Sequence, residues 1–126
     1  MAARVSKEVG QPIGELVGYR VRFDEKLSHK TKIKFLTDGM LLREAILDQQ
    51  MKQYQVVVLD EVHERSVNTD VLMAILKKVA AERAETFKLV VMSATLDLDK
   101  FMNYFGAQKV VKVEGRTHKI EIFNAL

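Results

Sequence analysis

"YQVVVLDEVHER", residues 54–65, sets an apolar, β-branched run directly against three acidic groups, a histidine and an arginine. A short continuous run of this composition is that of a strand covered on both faces. Charges are rarely buried without partners, so the cluster at its end is either a solvated turn or a site. "FKLVVMSAT", residues 87–95, is a second fully apolar strand, ending in small polar residues. Between the two, Thr69 or Asp70 is placed to cap a helix. Its buried stripe is expected at Val71, Leu72, Ile75, Leu76 and Val79.

The same alternation continues on both sides. "MAARVSKEV" reads as a short helix that ends around Gly10–Pro12. "VGYRVRF", residues 17–23, places Val17, Tyr19, Val21 and Phe23 opposite Gly18, Arg20 and Arg22, the pattern of a half-buried strand. "KIKFLT" is another strand, and "DGMLLREAILDQ" a helix with apolar Met40, Leu41, Ala45 and Leu47. Leu96–Phe105 reads as a helix stopped by Gly106. "KVVKVEG" (109–115) and "HKIEIF" (118–123) are further strand candidates. Strands alternating with helices predict an α/β fold with a largely parallel sheet flanked by helices. Ligands of such sheets bind beyond the carboxyl ends of the strands. "DEVH" and "SAT" both follow their strands directly and therefore share one edge of the sheet.

Composition narrows the chemistry. A chain of 126 residues fits one domain or part of one. Cysteine is absent, which excludes a disulfide framework and a thiolate metal site. His29, His63 and His118 are too scattered for a preformed zinc site. The start lacks the layout of a signal peptide, and no apolar run approaches the ~18 residues of a membrane span. An intracellular location, nucleus or cytoplasm, and no membrane partner are expected. The formal charge is only +3, yet Arg20, Arg22, Lys26, Lys30, Lys32 and Lys34 form a dense basic stretch. It suits a polyanionic partner, and equally a solvated face. Tyr19 and Phe23 fall opposite the arginines and read as core.

Asp60 and Glu61 at the end of an apolar strand form a Walker-B-like pair. One carboxylate holds Mg²⁺, usually through water, because this ion keeps several of its waters. The second group positions or deprotonates an attacking water for phosphoryl transfer. A bare apolar run followed by Asp-Glu reads equally well as a solvated turn. Alone, a histidine after a strand is a hydrogen-bonded turn residue and "SAT" a polar strand cap. Glu64 and Arg65 are candidates for a structural ion pair.

Taken in order, "TDGMLLRE", "DEVHER" and "SAT" resemble the DEAH-box helicases of superfamily 2. The likeness covers nearly the whole chain. "MAARVSKEVG" looks like the tail of the motif after the phosphate loop, "VGYRVRFDE" like the segment leading to the RNA-contacting turn, and "VEGRTHKIEIF" like the passage into the second RecA-like domain. Val62 departs from the usual D-E-A-H. The resemblance implies ATP and Mg²⁺ as cofactors and RNA as the partner, with room for a protein activator. Asp60 would hold the metal-bound nucleotide, Glu61 orient the hydrolytic water, and His63 link the nucleotide site to the second domain. Ser93 and Thr95 would couple hydrolysis to strand separation. Thr37, Gly39 and Arg43 would contact the RNA backbone, where a hydroxyl, helix-start N–H groups and a guanidinium suit phosphate. Arg20 and Arg22 would extend that track. Thr37 or Asp38 as a plain helix cap is the alternative.

None of the glycines opens the phosphate-loop pattern G-x-x-x-x-G-K-[ST]. The expectation is therefore an incomplete RecA-like (P-loop NTPase) domain. Residues 1–115 would form part of the first RecA-like domain without its opening strand and loop, and 116–126 the start of the passage to the second. The chain alone would be inactive, while its parent would be an RNA-dependent ATPase and helicase. The alternative is a non-catalytic, truncated or degenerate RecA-like module that binds RNA or protein. A different Walker-B ATPase is disfavoured by "TDGMLLRE" and "SAT" together.

Overall fold

An apolar run becomes a strand only where a neighbour completes its backbone hydrogen bonds, and the pairing found here divides the expected sheet in two. The computed structural model describes residues 1–94, 98–106, 109–115 and 122–123. Two units, Met1–Leu96 and Asp97–Leu126, make up the chain. The first runs through helix α1 (Ala2–Glu8), strands β1 (Val17–Val21), β2 (Asp24–Lys26) and β3 (Ile33–Leu36), and helix α2 (Asp38–Leu47). Strand β4 (Val56–Leu59), a 3-10 turn at Val62–Glu64, helix α3 (Val67–Glu82) and strand β5 (Lys88–Val91) follow. The second unit holds helix α4 (Leu98–Phe105).

β1 lies between an antiparallel β2 and a parallel β3, with Tyr19 opposite both Lys26 and Phe35. β4 and β5 pair in parallel, Val58 opposite Val90, and α3 provides the crossover that parallel neighbours require. The α/β layering with parallel pairs is as expected, in two sheets among the described residues. β2 has no sequence signature, because Asp24, Glu25 and Lys26 are all exposed and show no alternation. The chain turns back after Val21, so alternation no longer decides which way Phe23 faces. Phe23, expected in the core, is 94% exposed at the hairpin tip, with the Arg22 guanidinium 5.0 Å from its ring centre. Tyr19 is half-buried and donates its hydroxyl to Asp24 Oδ2 at 2.6 Å.

The core of the first unit gathers Leu41 and Ala45 from α2, Leu72, Met73, Leu76 and Val79 from α3, and Val57, Leu59, Val62 and Phe87. β4 was expected to be covered on both faces. Instead Val57 and Leu59 are buried while Val56 and Val58 stand about half-exposed, and Val90 on β5 is exposed as well. Only one face of this sheet meets a packed layer among the described residues. The cap of α3 is Ser66, not Thr69 or Asp70: its Oγ accepts the Thr69 N–H at 3.1 Å. The inward stripe of α3 is Thr69, Leu72, Met73, Leu76 and Val79, while Val71 is exposed and Ile75 half-buried.

Gly106 follows α4 with φ +80°, the left-handed stop expected of it. Within α4, Tyr104 meets Phe105 edge-on at 4.8 Å. Lys109–Gly115 forms no strand: the segment is exposed and pairs with no strand among the described residues. Most of 118–123 lies outside the described residues. Among them, no helix is long and apolar enough to cross a membrane.

Gly18 sits where β2 folds back over β1. A Cβ there would stand 2.3 Å from the Lys26 carbonyl oxygen and 2.8 Å from Leu27 Cδ2. Backbone cannot yield as a side-chain tip does, so Gly18→Ala is expected to lower stability by about 1–3 kcal/mol. Urea unfolding should show a lower midpoint at an unchanged slope.

Candidate active site and nucleic-acid interface

The end of β4 is fixed before any side chain acts. Met92 N–H donates to the Leu59 carbonyl at 2.8 Å and Val62 N–H to the Met92 carbonyl at 3.2 Å, which carries the parallel ladder beyond both strands. Between those bonds the chain makes a tight turn. Glu61 and Arg65, on either side of Val62–Glu64, have φ of +54° and +52°, a region that side chains other than glycine rarely adopt. Burial of Val62, which is 0% exposed, holds the turn from below. Arg65 holds it from outside, forking onto Asp70 with Nε to Oδ1 at 2.8 Å and Nη2 to Oδ2 at 2.9 Å. The hydrogen bonds from Arg65 keep the Asp70 carboxyl below its usual range. Arg65 thus pairs with Asp70 and not with Glu64, because its left-handed backbone carries the side chain toward the first turn of α3.

Asp60 and Glu61 are exposed beyond the end of β4. Asp60 Oδ1 accepts the Glu61 N–H at 2.9 Å, and Glu61 Oε2 lies 3.3 Å from His63 Nε2. The other ring nitrogen, Nδ1, lies 3.2 Å from Ser93 Oγ and accepts the Ala94 N–H at 3.4 Å. An amide can only donate, so Nδ1 is unprotonated in the neutral ring and Nε2 carries the hydrogen toward Glu61. Asp60, Glu61, His63 and Ser93 are therefore brought together across the ends of β4 and β5. Thr95 lies outside the described residues. No three His, Asp or Glu side chains converge as a metal cage among the described residues.

A second group forms at the start of α2. Thr37 is its N-cap by position, and its carbonyl accepts the N–H groups of Met40 and Leu41. Its hydroxyl makes no capping bond, and the side chain is exposed. Gly39 and Arg43 are exposed one turn apart, on the same helix face. Asp38 does not cap either: its Oδ2 accepts the hydroxyl of Thr69 and lies 3.4 Å from that of Ser66.

The opposite face of α2 carries the group that sequence reasoning missed. Glu44 is 8% exposed. It accepts from Lys34 Nζ at 2.7 Å, Arg20 Nη1 at 2.9 Å, Gln53 Nε2 at 3.2 Å and the Tyr54 hydroxyl. Burial disfavours its charge, but the hydrogen bonds from Lys34 and Tyr54, with the Lys34 and Arg20 cations, overcome it and hold the carboxyl below its usual range. Burial, then the bond to Glu44, push the Tyr54 phenol well above its own. The signal was Glu44 falling in the inward stripe beside Leu41 and Ala45. It also divides the expected basic track: Arg20 is bound to Glu44 and Glu25, and Lys34 to Glu44. Arg22 remains exposed.

Residues 3–103, which contain both groups, match the DEAD/DEAH box helicase family. The chain belongs to that family. "ATP-dependent RNA helicase DHX33" of Homo sapiens is 51% identical to it over 127 residues. The protein of the same name in Mus musculus is also 51% identical. The match takes in 98% of this chain and 18% of each relative, so the chain spans under a fifth of their length. Among the motifs of this DEAD/DEAH box chain, "TDGMLLRE" now has a structural half, Glu44, beside its exposed half, Thr37, Gly39 and Arg43.

Glu44 has a depressed folded pKa, so its contribution to stability is complete above the unfolded value of ~4.3. It is lost as the pH falls through the lower folded value. Glu44→Gln should cost about 3 kcal/mol at neutral pH, the scale of a buried pair broken on one side. In urea titrations the gap between wild type and variant should narrow as the solution is acidified.

Proposed function

We propose that this chain is part of the first RecA-like domain of an ATP-dependent RNA helicase. Its residues 1–115 belong to that domain, and 116–126 lead toward the second. In the full-length protein this domain couples Mg²⁺–ATP hydrolysis to movement along RNA and its unwinding, at an intracellular site. One observation carries the reading. The Asp60–Glu61 pair beyond β4 is joined through His63 to Ser93 and Ala94 beyond β5. Family membership and the ATP-dependent RNA helicases among its relatives support the same reading.

The roles follow from chemistry. Asp60 is a single exposed carboxylate, which fits Mg²⁺ because that ion takes one or two carboxylates and completes its shell with water and substrate phosphate. When bound, the ion neutralises phosphate charge. Glu61 orients and deprotonates the attacking water. His63, with Nε2 3.3 Å from Glu61 Oε2, orients that carboxylate, while its Nδ1 reports on the segment after β5 that carries Ser93. Thr37, the Gly39 N–H and Arg43 hold RNA phosphates, contacts that carry no sequence information and suit an enzyme that moves along its track. Arg22 extends this face, whereas Arg20 contributes through its ties to Glu44 and Glu25.

Glu61→Gln in the full-length protein should leave ATP binding nearly intact and lower hydrolysis by about 10²–10⁴-fold. Near-normal turnover would remove Glu61 from the mechanism. Arg43→Ala should weaken RNA binding alike for all sequences and lower the salt slope by about 0.7–0.9. Thr37→Ala should weaken binding without changing the slope. Base-dependent losses would count against backbone recognition.

The 126-residue chain by itself contains no phosphate-loop pattern. In this class the loop's N–H groups and lysine supply most of the affinity for phosphate. The purified chain should therefore show no RNA-stimulated phosphate release above that of its Asp60→Ala variant. Turnover that depends on Asp60 would refute this. RNA binding without turnover in the full-length protein would instead favour a non-catalytic RNA-binding module.

A further inference from the structure

The two proposed sites are joined by a short polar path that neither role requires. At the first turns of α2 and α3, Thr69 Oγ1 donates to Asp38 Oδ2. Ser66 Oγ lies 3.4 Å from the same carboxylate oxygen and 2.7 Å from Thr69 Oγ1. Thr69 is only 5% exposed, so its bond to a carboxylate is shielded from water and belongs to the stronger, charge-assisted kind. Capping α3 needs only Ser66, whose Oγ already accepts the Thr69 N–H. The Thr69 hydroxyl is thus spent on another helix.

Both ends of this path reach a proposed site within one residue. Asp38 stands between Thr37 and Gly39 at the start of α2. Thr69 is followed by Asp70, whose carboxylate forks onto Arg65 and closes the left-handed turn that carries Glu61 and His63. The first turn of α3 is a rigid helical unit, so Thr69 and Asp70 move together. A shift of the α2 start when phosphate docks there pulls on Asp38, then Thr69, then Asp70 and Arg65. Asp38 also sits at the positive ends of both helices, which makes its carboxylate the natural pivot between them.

Resting on the function proposed above, we infer that the Asp38–Thr69 hydrogen bond is a positioning link that transmits RNA contact at α2 to the Glu61 turn. Thr69 touches neither RNA nor nucleotide; it acts through Asp38 and Asp70. Its removal should uncouple the two sites and leave each able to bind.

The test uses the full-length protein with Thr69→Val, which keeps the shape and deletes the hydroxyl, and Thr69→Ser, which restores it. ATP turnover is measured with and without a single-stranded oligouridylate, and the affinity for that RNA by fluorescence anisotropy. Thr69→Val should reduce RNA stimulation by about 3–30-fold, with turnover in the absence of RNA and RNA affinity near those of wild type. Thr69→Ser should recover the stimulation. Full stimulation in Thr69→Val, or an equal fall in turnover with and without RNA, overturns the inference. If Thr69→Val does not fold, Asp38→Ala is judged by the same two ratios. Glu61→Gln, run in parallel, separates the two claims. If it retains turnover, the functional reading fails; if it loses turnover while Thr69→Val behaves as wild type, only the link fails.

Discussion

One carboxylate taken out of water organises the first half of the molecule. Leaving Glu44 buried and unpaired would cost several kcal/mol, so the chain must bring donors to it. They arrive from β1 (Arg20), β3 (Lys34) and the loop after α2 (Gln53 and Tyr54). The position of α2 against the three-stranded sheet is therefore specified by charge and hydrogen-bond geometry as well as by Leu41 and Ala45. A hydrophobic residue at position 44 would pack α2 but would not fix its register. Arg83, at the end of α3, adds a further clasp: it donates to the carbonyls of Gln50 and Met51 at 2.9 and 2.8 Å. Buried Met51 has φ +49°, and these bonds hold the chain in that unfavourable conformation.

The turn after β4 is built on a comparable constraint, applied to backbone. Two left-handed residues within five positions are costly. They persist because four independent restraints converge on the turn: the ladder bond from Val62 N–H, the buried Val62 side chain, the Arg65–Asp70 fork and the His63 bridge to β5. The result aims Asp60 and Glu61 outward from the strand end as separate groups. Adjacent residues in a regular strand already diverge. The left-handed step at Glu61 additionally brings its carboxylate back to the His63 ring. Val62 is fully buried beneath the turn, while Asp60 and Glu61 beside it are exposed.

Much of this is legible in the sequence, and the parts that are not share a physical cause. β1, β3, β4, β5, α2 and α3 announced themselves through period and composition, and the site through charges placed at strand ends. What misled was burial inferred from a single strand. Val56 and Val58 look like core in "QVVVLD", but whether a face is covered depends on a layer elsewhere in the chain. Phe23 was assigned by alternation across a point where the chain turns back. β2 carried no apolar signal because a hairpin partner exposed on both faces needs none. The cap of α3, Ser66, lies three or four residues before Thr69 and Asp70. All three are good cap residues, and only the folded chain shows that Ser66 Oγ takes the Thr69 N–H while the Thr69 hydroxyl turns to Asp38. Glu44 was legible in principle: an acid within a buried helical stripe calls for a cation, and the neighbouring strands are rich in them.

That pairing also changes what the basic stretch can do. Counting residues from Arg20 to Lys34 suggests a strong electropositive track. Yet Arg20 is paired with Glu25 and Glu44, Lys34 with Glu44, and Lys30 Nζ lies 3.1 Å from Glu15 Oε2. Within the stretch from Arg20 to Lys34 the exposed cations left are Arg22, Lys26 and Lys32, joined by Arg43 on the outer face of α2. Under the function proposed above, four phosphate contacts from these residues, at ~0.7 of a logarithmic unit each for single strands, would contribute at most about three to the salt slope. The acids that pair with the other cations thus serve two ends at once: they position α2, and they lower the positive charge that the basic stretch presents to solvent.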